Sequence, residues 1–136
     1  MKKVMAFGTF DVFHKGHEEY LKQAKLEGDY LVVVIARDKN AEKIKGIKLN
    51  HDEDERWDSV SKSGLADKVL FGGIEDQLRI VEKENPNVIA LGYDQKVKEE
   101  ELVRKLERRG ISVEIKRMKE YKGDKYKSSI IRRLKK

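Results

Sequence analysis

The sequence predicts an α/β fold, a single domain in which a five-stranded parallel sheet carries helices on both faces. Five short apolar runs alternate with helical patterns along the chain, which is the order of successive βαβ units. The second run, Tyr-Leu-Val-Val-Val-Ile-Ala, is apolar throughout, as expected of a central parallel strand covered on both sides. At 136 residues the chain has the usual length of one domain.

The predicted strands are residues 3–7, 30–36, 68–71, 87–91 and 112–115. Parallel strands joined by helices are connected by right-handed crossovers. The expected fold is a Rossmann-like sheet with the strand order 3-2-1-4-5, in which the first strand lies at the centre.

Helical patterns occupy residues 18–26, 52–63, 74–84, 97–109 and 128–136. Gly110 follows the fourth pattern as an expected C-cap, and Ser128 or Ser129 can be the N-cap of the last. The residues expected on or near the inward helix faces are Tyr20, Leu21, Ala24, Trp57, Val60, Leu65, Ile74, Leu78, Val81, Leu102 and Leu106.

Two longer segments, 37–50 and 118–127, carry no clear pattern and are rich in lysine. Each follows a predicted strand, so both would lie at the carboxyl edge of the sheet, where open α/β sheets bind ligands. They are candidate ligand lids, although solvated connectors would have the same composition.

The composition excludes some classes of protein but does not identify a function. No apolar run is long enough to span a membrane, and the absence of cysteine excludes disulfides. The N-terminus carries no signal pattern, so we expect a cytoplasmic protein. The formal net charge of +6 fits anionic ligands such as nucleotides and phosphorylated metabolites.

The chemistry of the chain concentrates where the first strand leads into the first helix. His14 and His17 are three residues apart and face the same side of a helix start, with Lys15 and Gly16 between them. A helix N-terminus after a glycine turn binds anions, and such histidines can donate hydrogen bonds to phosphate oxygens or bind a metal. Only one further histidine and no cysteine are present, so the chain has few ligands for a structural zinc site.

The segment GTFDVFHKGH, residues 8–17, closely resembles the HxGH motif of the cytidylyltransferase-like nucleotidyltransferases. The resemblance extends along the chain to residues 36–38, 43–46, 53–56, 91–94 and 127–131. It implies a reaction in which a phosphate oxygen of the acceptor attacks the α-phosphate of a nucleoside triphosphate and pyrophosphate leaves. A divalent metal, Mg²⁺ or similar, would bridge the phosphates.

This resemblance implies roles for particular residues. His14 and His17 would be catalytic, donating to the phosphate oxygens. Asp94 would contact the base or ribose, although a turn residue that caps the following helix is the plain alternative. The full implied nucleotide-binding set is Thr9, Phe10, His14, Lys15, Gly16, His17, Asp94, Tyr121, Ser128 and Ser129.

For other residues two interpretations stay open. Asp11 could bind a metal, but a role as a cap or turn residue is favoured. Arg56 resembles a position near the substrate, whereas taken alone it would be a surface salt-bridge partner. Lys45 and Lys48 are candidates for the acceptor phosphate. Trp57 is expected to pack in the core rather than to stack on a base.

The second family motif departs from the cytidylyltransferase form, because the arginine that opens it is missing here. The phosphate clamp would then fall to Lys122, Lys125 or Lys127, although lysine cannot reproduce bidentate arginine contacts. The Leu-Gly-Tyr-Asp segment at 91–94 and the Tyr/Ser-Ser tail resemble the archaeal FAD synthases instead. In that group Tyr121 would lie against the nucleotide.

The leading hypothesis is therefore an FMN adenylyltransferase, which uses ATP and FMN as substrates and makes FAD and pyrophosphate. The alternative is a cytidylyltransferase for glycerol-3-phosphate or another polyol or sugar phosphate, serving lipid or envelope synthesis. A basic nucleic-acid-binding domain is a remote third, because it leaves the histidine pair without a role. The resemblance also implies a homodimer, and neither nucleic acid nor membrane is expected as a partner.

Overall fold

The structure, a computed structural model, describes residues 1–45 and 49–120. Its elements in chain order are β1 (Lys3–Gly8), α1 (Lys15–Leu26), β2 (Tyr30–Ile35), α2 (Asp38–Lys45), α3 (Glu53–Lys62), β3 (Lys68–Phe71), α4 (Arg79–Glu84), β4 (Val88–Leu91), α5 (Glu99–Glu107) and β5 (Glu114–Arg117).

The five strands form one parallel sheet in the order β3-β2-β1-β4-β5, which confirms the predicted architecture. β1 lies at the centre and pairs with β2 along its whole length, from Lys3 to Gly8. Its pairing with β4 ends earlier, at Ala6 and Ala90. A crevice therefore opens between β1 and β4 at the carboxyl edge of the sheet, where the strand order reverses.

The core is divided between the two faces of the sheet, because successive residues of a strand point to opposite sides. On one face Leu31, Val33 and Ile35 of β2 pack with Leu21 of α1 and Val60 of α3. The opposite face contains the residues Met5, Val32, Val34, Val81, Ile89, Leu91, Leu106 and Ile111, which pack beneath α4 and α5. The expectation of helices on both faces is thus confirmed.

The prediction of an irregular segment at 37–50 is wrong for its first half, which forms α2. The helix is anchored at its start, because the Asp38 backbone N–H donates to the Glu53 carboxylate at 2.9 Å. Ala41 is fully buried and packs inward. Two apolar residues among eight, Ala41 and Ile44, are too few to give a periodic signal in the sequence.

The predicted helix at 74–84 begins later than expected, at Arg79. Asp76 accepts a hydrogen bond from the Leu78 backbone N–H at 3.2 Å, a local turn that competes with helix formation. Ile74 is consequently exposed rather than inward-facing. Gly110 has a φ of 76° and reverses the chain after α5, as predicted for a C-cap glycine.

The inward face of α3 differs from the prediction by one position. Trp57 is 36% exposed and donates its indole N–H to the Val69 carbonyl of the edge strand at 3.0 Å. Arg56 is fully buried beside Val60 instead. The prediction of Trp57 as a core residue is therefore wrong, and the expected inward position is taken by an arginine.

The predicted helix at 128–136 and most of the lysine-rich segment at 118–127 lie outside the described residues. Within the described part of the chain, none of the helices is both long and apolar enough to cross a membrane.

Glu84, at the end of α4, joins the starts of two strands. Its carboxylate accepts hydrogen bonds from Lys3 of β1 at 3.3 Å and from Lys68 of β3 at 3.1 Å. Burial raises the pKa of Glu84, but the hydrogen bonds from the two lysines outweigh burial and hold this pKa below its ordinary value of 4.5. The contacts of the Glu84 carboxylate with the two lysines therefore stabilise the protein fully above the pKa of the unfolded chain. This stabilisation is lost as the pH falls through the lower pKa of Glu84 in the folded protein.

We expect Glu84→Gln to flatten the acid limb of the stability curve. Between about pH 6 and about pH 3 the free energy of unfolding of the wild type should fall by about 1 kcal/mol more than that of the variant. Urea unfolding at a series of pH values measures this difference. Glu75→Gln is the control, because Glu75 is exposed and makes no ion pair with another described residue. Parallel acid limbs for wild type and Glu84→Gln would contradict the prediction.

Candidate active site

The turn from β1 into α1 is built on a close contact between Gly8 and Phe10. Phe10 has a φ of 54°, a left-handed conformation that a bulky residue adopts only when its surroundings hold it there. Its ring is buried and lies over the Gly8 backbone, where an added Cβ would come within 2.7 Å of the ring. Glycine at position 8 is therefore required by the packing of Phe10.

Phe10 supports the histidine pair from below. Its ring meets His17 edge-on, with 5.2 Å between the centroids, and lies parallel to Tyr20 at 6.4 Å. Because the Phe10 side chain is buried in the core, a nucleotide contact from this residue would involve its backbone. The nucleotide-binding roles of Phe10 and Thr9 stay predictions.

The two histidines cap α1 reciprocally. Nδ1 of His14 accepts the Gly16 backbone N–H at 3.0 Å, and Nδ1 of His17 accepts the His14 backbone N–H at 3.2 Å. This is a capping box in which imidazoles take the places usually filled by serine and glutamate. The rings stack with centroids 3.8 Å apart.

The cap fixes the tautomer of each neutral ring. A nitrogen that accepts a hydrogen bond carries no proton, so in both rings the N–H is on Nε2. In each histidine the helix cap thus binds Nδ1, and the N–H lies on the opposite side of the ring, at Nε2. Gly16 makes this possible, because a Cβ there would lie 2.9 Å from Cε1 of His14.

Lys15 is the first residue of α1 and is exposed beside His14. The first turn of a helix presents backbone N–H groups and the positive end of the helix dipole. Lysine adds a full charge to that end, so the start of α1 is suited to an anion.

Asp11 is a structural residue, as favoured from the sequence. Its carboxylate accepts the backbone N–H groups of Asn50 at 3.0 Å and His51 at 2.9 Å, and also the side-chain amide of Asn50. Burial raises the pKa of Asp11, but these hydrogen bonds outweigh burial and lower it. Asp11 therefore ties the turn after β1 to the segment that precedes α3.

Arg56 makes a second link between the same two segments. Its guanidinium donates to the carbonyls of Thr9 at 2.8 Å and His51 at 3.2 Å, and to the Asp38 carboxylate at 2.6 Å. The interpretation of Arg56 as a surface salt-bridge partner is wrong, because the residue is fully buried. Each of its three nitrogens is bonded to the protein, which favours positioning of the Thr9 turn over contact with an acceptor.

A further charged cluster covers the ends of β2 and β3, and its pairing was not predicted. Arg37 lies over the Phe71 ring, 4.6 Å from its centroid, and donates to the Gly72 carbonyl at 3.2 Å. Glu53 bridges Arg37 at 2.9 Å and the start of α2. The cluster fixes α2 and α3 against the edge of the sheet that carries the histidines.

Two side chains line the crevice between β1 and β4. They bind the backbone groups that would otherwise form hydrogen bonds between the two strands. Phe7 has no partner on β4, and its backbone N–H donates to the Tyr20 hydroxyl at 3.2 Å. The Phe7 carbonyl accepts Nε2 of Gln95 at 2.6 Å, and Tyr20 donates to the Ala90 carbonyl at 2.6 Å. Burial raises the pKa of Tyr20, so the hydroxyl keeps its proton.

Asp94 lies in the turn after β4 and is exposed. The alternative that it caps the next helix is wrong, because α5 begins at Glu99 and its N-cap is Lys98. The carboxylate lies close enough to the Tyr20 hydroxyl to contribute to the raised pKa of that group. Its contact with a base or ribose stays a prediction.

The structure thus groups Thr9, Phe10, His14, Lys15, Gly16, His17 and Asp94 at the carboxyl edge of β1 and β4. Lys45 is the last residue of α2. The remaining predicted residues lie outside the described part of the chain: Lys48, Tyr121, Lys122, Lys125, Lys127, Ser128 and Ser129. Residues 1–45 and 49–120 contain no group of three histidine or acidic side chains that could hold a metal ion.

Comparison with known proteins finds a family model and relatives that match most of the chain. Residues 5–134 match the family model described as cytidylyltransferase-like. An FAD synthase of Thermoplasma acidophilum is 41% identical over 133 residues, which are 98% of this chain and 93% of the relative. An FAD synthase of Ferroglobus placidus is 46% identical over 120 residues, 88% of this chain and 77% of the relative.

Among solved structures, a protein of Thermoplasma volcanium described as a lipopolysaccharide core biosynthesis protein superposes with a TM-score of 0.85. It is 42% identical to this chain, and the match covers 89% of this chain and 98% of the other.

We expect Arg56→Lys to destabilise the protein by about 3 kcal/mol, because lysine cannot hold three separated oxygens and leaves buried groups unpaired. Urea unfolding followed by circular dichroism measures the loss. Arg79→Lys is the matched control at an exposed helix position, where a change within about 0.5 kcal/mol is expected. A loss from Arg56→Lys no larger than that of the control would contradict the positioning role.

Proposed function

The chain belongs to the cytidylyltransferase-like family, and we propose that it is an FMN adenylyltransferase, an FAD synthase that joins ATP and FMN. The observation that carries the choice of substrates is the identity of 41% and 46% to FAD synthases over most of the chain. The Leu-Gly-Tyr-Asp segment at residues 91–94 supports the same choice, since it resembles that group.

In the proposed reaction a phosphate oxygen of FMN attacks the α-phosphorus of ATP. A new phosphorus–oxygen bond forms the diphosphate of FAD, the bond to the bridging oxygen breaks, and pyrophosphate leaves with the bonding electron pair. The attacking oxygen belongs to an ionised phosphate, so the step needs no residue to remove a proton. Catalysis then consists of orientation and of stabilising the charge that builds up on the phosphates.

His14 and His17 supply the donors for that charge. Because each Nδ1 is held by a backbone N–H, each Nε2–H is already directed by the helix cap before a nucleotide binds. Donors fixed in advance do not have to reorganise during the reaction, which is the main source of electrostatic catalysis. Lys15 and the first turn of α1 add positive potential beside them.

The rest of the proposed site comes from the family resemblance. Ser128 and Ser129 would hold the β- and γ-phosphates, and Tyr121 would lie against the nucleotide. Lys122, Lys125 and Lys127 would clamp phosphates, and Lys45 and Lys48 would meet the acceptor. Mg²⁺ usually binds through substrate phosphates with few protein ligands, so we propose that it enters with ATP. A homodimer and a cytoplasmic location also stay predictions.

A cytidylyltransferase acting on a polyol or sugar phosphate is the second candidate. It is favoured by the description of the Thermoplasma volcanium relative, which concerns lipopolysaccharide core biosynthesis. Both candidates share the fold, the histidine pair and the reaction type, and they differ in the base and in the acceptor.

An assay of substrate pairs separates the two candidates. With ATP and FMN we expect FAD and pyrophosphate in equal amounts, measured by chromatography of the flavins and by a coupled pyrophosphate assay. CTP with glycerol-3-phosphate is the comparison, and CTP with FMN tests the base alone. Pyrophosphate release confined to CTP would eliminate the FAD synthase proposal.

His14→Asn and His17→Gln separate catalysis from helix capping. Asparagine is a good N-cap and glutamine completes a capping box, so both variants should keep the melting temperature of the wild type. Each loses the imidazole Nε2–H, and the amide N–H that replaces it starts from a different position on a non-cyclic side chain, so we expect kcat to fall about 100-fold or more. His14→Ala is the contrasting variant, because it should lose both activity and about 1 kcal/mol of stability. Near-normal turnover by the stable variants would contradict catalysis through the imidazole N–H groups.

A further inference from the structure

The segment between β4 and α5, residues 92–98, is held by one side chain from the neighbouring strand. Arg117, the last residue of β5, donates through Nη1 to the carbonyls of Gly92 at 2.8 Å and Gln95 at 2.7 Å. Its Nη2 donates to the Val97 carbonyl at 2.6 Å. The guanidinium also pairs with both carboxylate oxygens of Glu99, at 3.0 Å and 3.1 Å.

These contacts use every donor that Arg117 has. A guanidinium carries five N–H groups, and the five acceptors are three carbonyls of one segment and the two carboxylate oxygens at the start of α5. No N–H remains to bind a phosphate. Arg117 therefore does not replace the arginine that is missing from the second family motif, and its role is to shape the segment.

The same segment is also tied to the strand that leads to the histidines. The Gln95 side chain accepts the Gly92 backbone N–H at 3.0 Å and donates to the Phe7 carbonyl at 2.6 Å. Arg117 holds the Gln95 main chain through its carbonyl. Tyr93 and Asp94 form the turn enclosed by these bonds at the carboxyl edge of the sheet, and both are exposed.

We propose that Arg117 is a positioning residue that fixes the Tyr93–Asp94 turn in the conformation that contacts the nucleotide, and so sets the affinity for ATP rather than for the acceptor. This inference rests on the proposed function, because it assigns the turn to the nucleotide side of the same site. A planar fork with five fixed donors can hold three carbonyls in one arrangement, whereas an ammonium group cannot.

The test compares Arg117→Lys and Arg117→Gln with the wild type in FAD synthesis. We expect KM for ATP to rise about tenfold in Arg117→Lys and further in Arg117→Gln, since small misplacements of a binding group are costly. KM for FMN and kcat should stay within about twofold. Fluorescence of Trp57, the single tryptophan, verifies that the variants are folded.

Arg109→Lys is the matched control. Like Arg117, Arg109 forms ion pairs, with Asp76 at 2.6 Å and Glu82 at 2.9 Å, and its side chain is 29% exposed against 26% for Arg117. Its hydrogen bonds and ion pairs within the described part of the chain go to Asp76 and Glu82 and not to residues 92–98, so its replacement should leave both KM values unchanged. A parallel rise of the two KM values in Arg117→Lys, or an equal effect of Arg109→Lys, would overturn the proposal.

Glu99→Gln keeps the proposal testable if the Arg117 variants do not fold. This change weakens two of the five bonds at an exposed helix start and leaves the three carbonyl contacts. A rise of about threefold in KM for ATP alone is expected, and an unchanged KM for ATP would overturn the proposal.

Wild-type protein that binds ATP in calorimetry but makes no FAD would count against the proposed function only. Wild-type FAD synthesis with an unchanged KM for ATP in both Glu99→Gln and Arg117→Lys would count against this inference only.

Discussion

The buried ring of Phe10 is the contact on which the strand–turn–helix arrangement depends. It lies over the Gly8 backbone, holds its own residue in a left-handed conformation and supports His17 and Tyr20 from below. Backbone strain of this kind persists only when packing determines the conformation. The histidine pair is therefore positioned by the hydrophobic core itself, although its chemistry is polar and exposed.

Around this centre, side chains bonded to backbone carbonyls hold the loops in place. Arg56 donates hydrogen bonds to the turn after β1, and Arg117 does the same to the turn after β4. Gln95 connects the second turn to β1. Loops at the carboxyl edge of an α/β sheet have few partners of their own, so such long side chains supply the rigidity that binding geometry requires.

The fold was predictable because the apolar runs alternate with helical patterns, and the three inner strands, β1, β2 and β4, are apolar on both faces of the sheet. The histidine pair was predictable because its residues are adjacent in sequence. Arg56 and Arg117 were not, since their partners lie between 5 and 47 residues away and are mostly backbone oxygens, which have no sequence signature. The same reason explains the error at Trp57. An arginine on the inward face of a helix contradicts hydrophobic periodicity, and only its distant acceptors make burial possible.

The early end of pairing between β1 and β4 has a consequence for the solvent at the base of the crevice. Backbone groups exposed by separating strands are normally hydrated, but here Tyr20 and Gln95 bind the N–H and the carbonyl of Phe7. The Ala90 carbonyl is satisfied in the same way. Water molecules therefore have few backbone groups to bind at this base. A charge placed directly above it would be screened less than in bulk water, and an N–H directed at an anion there would act more strongly.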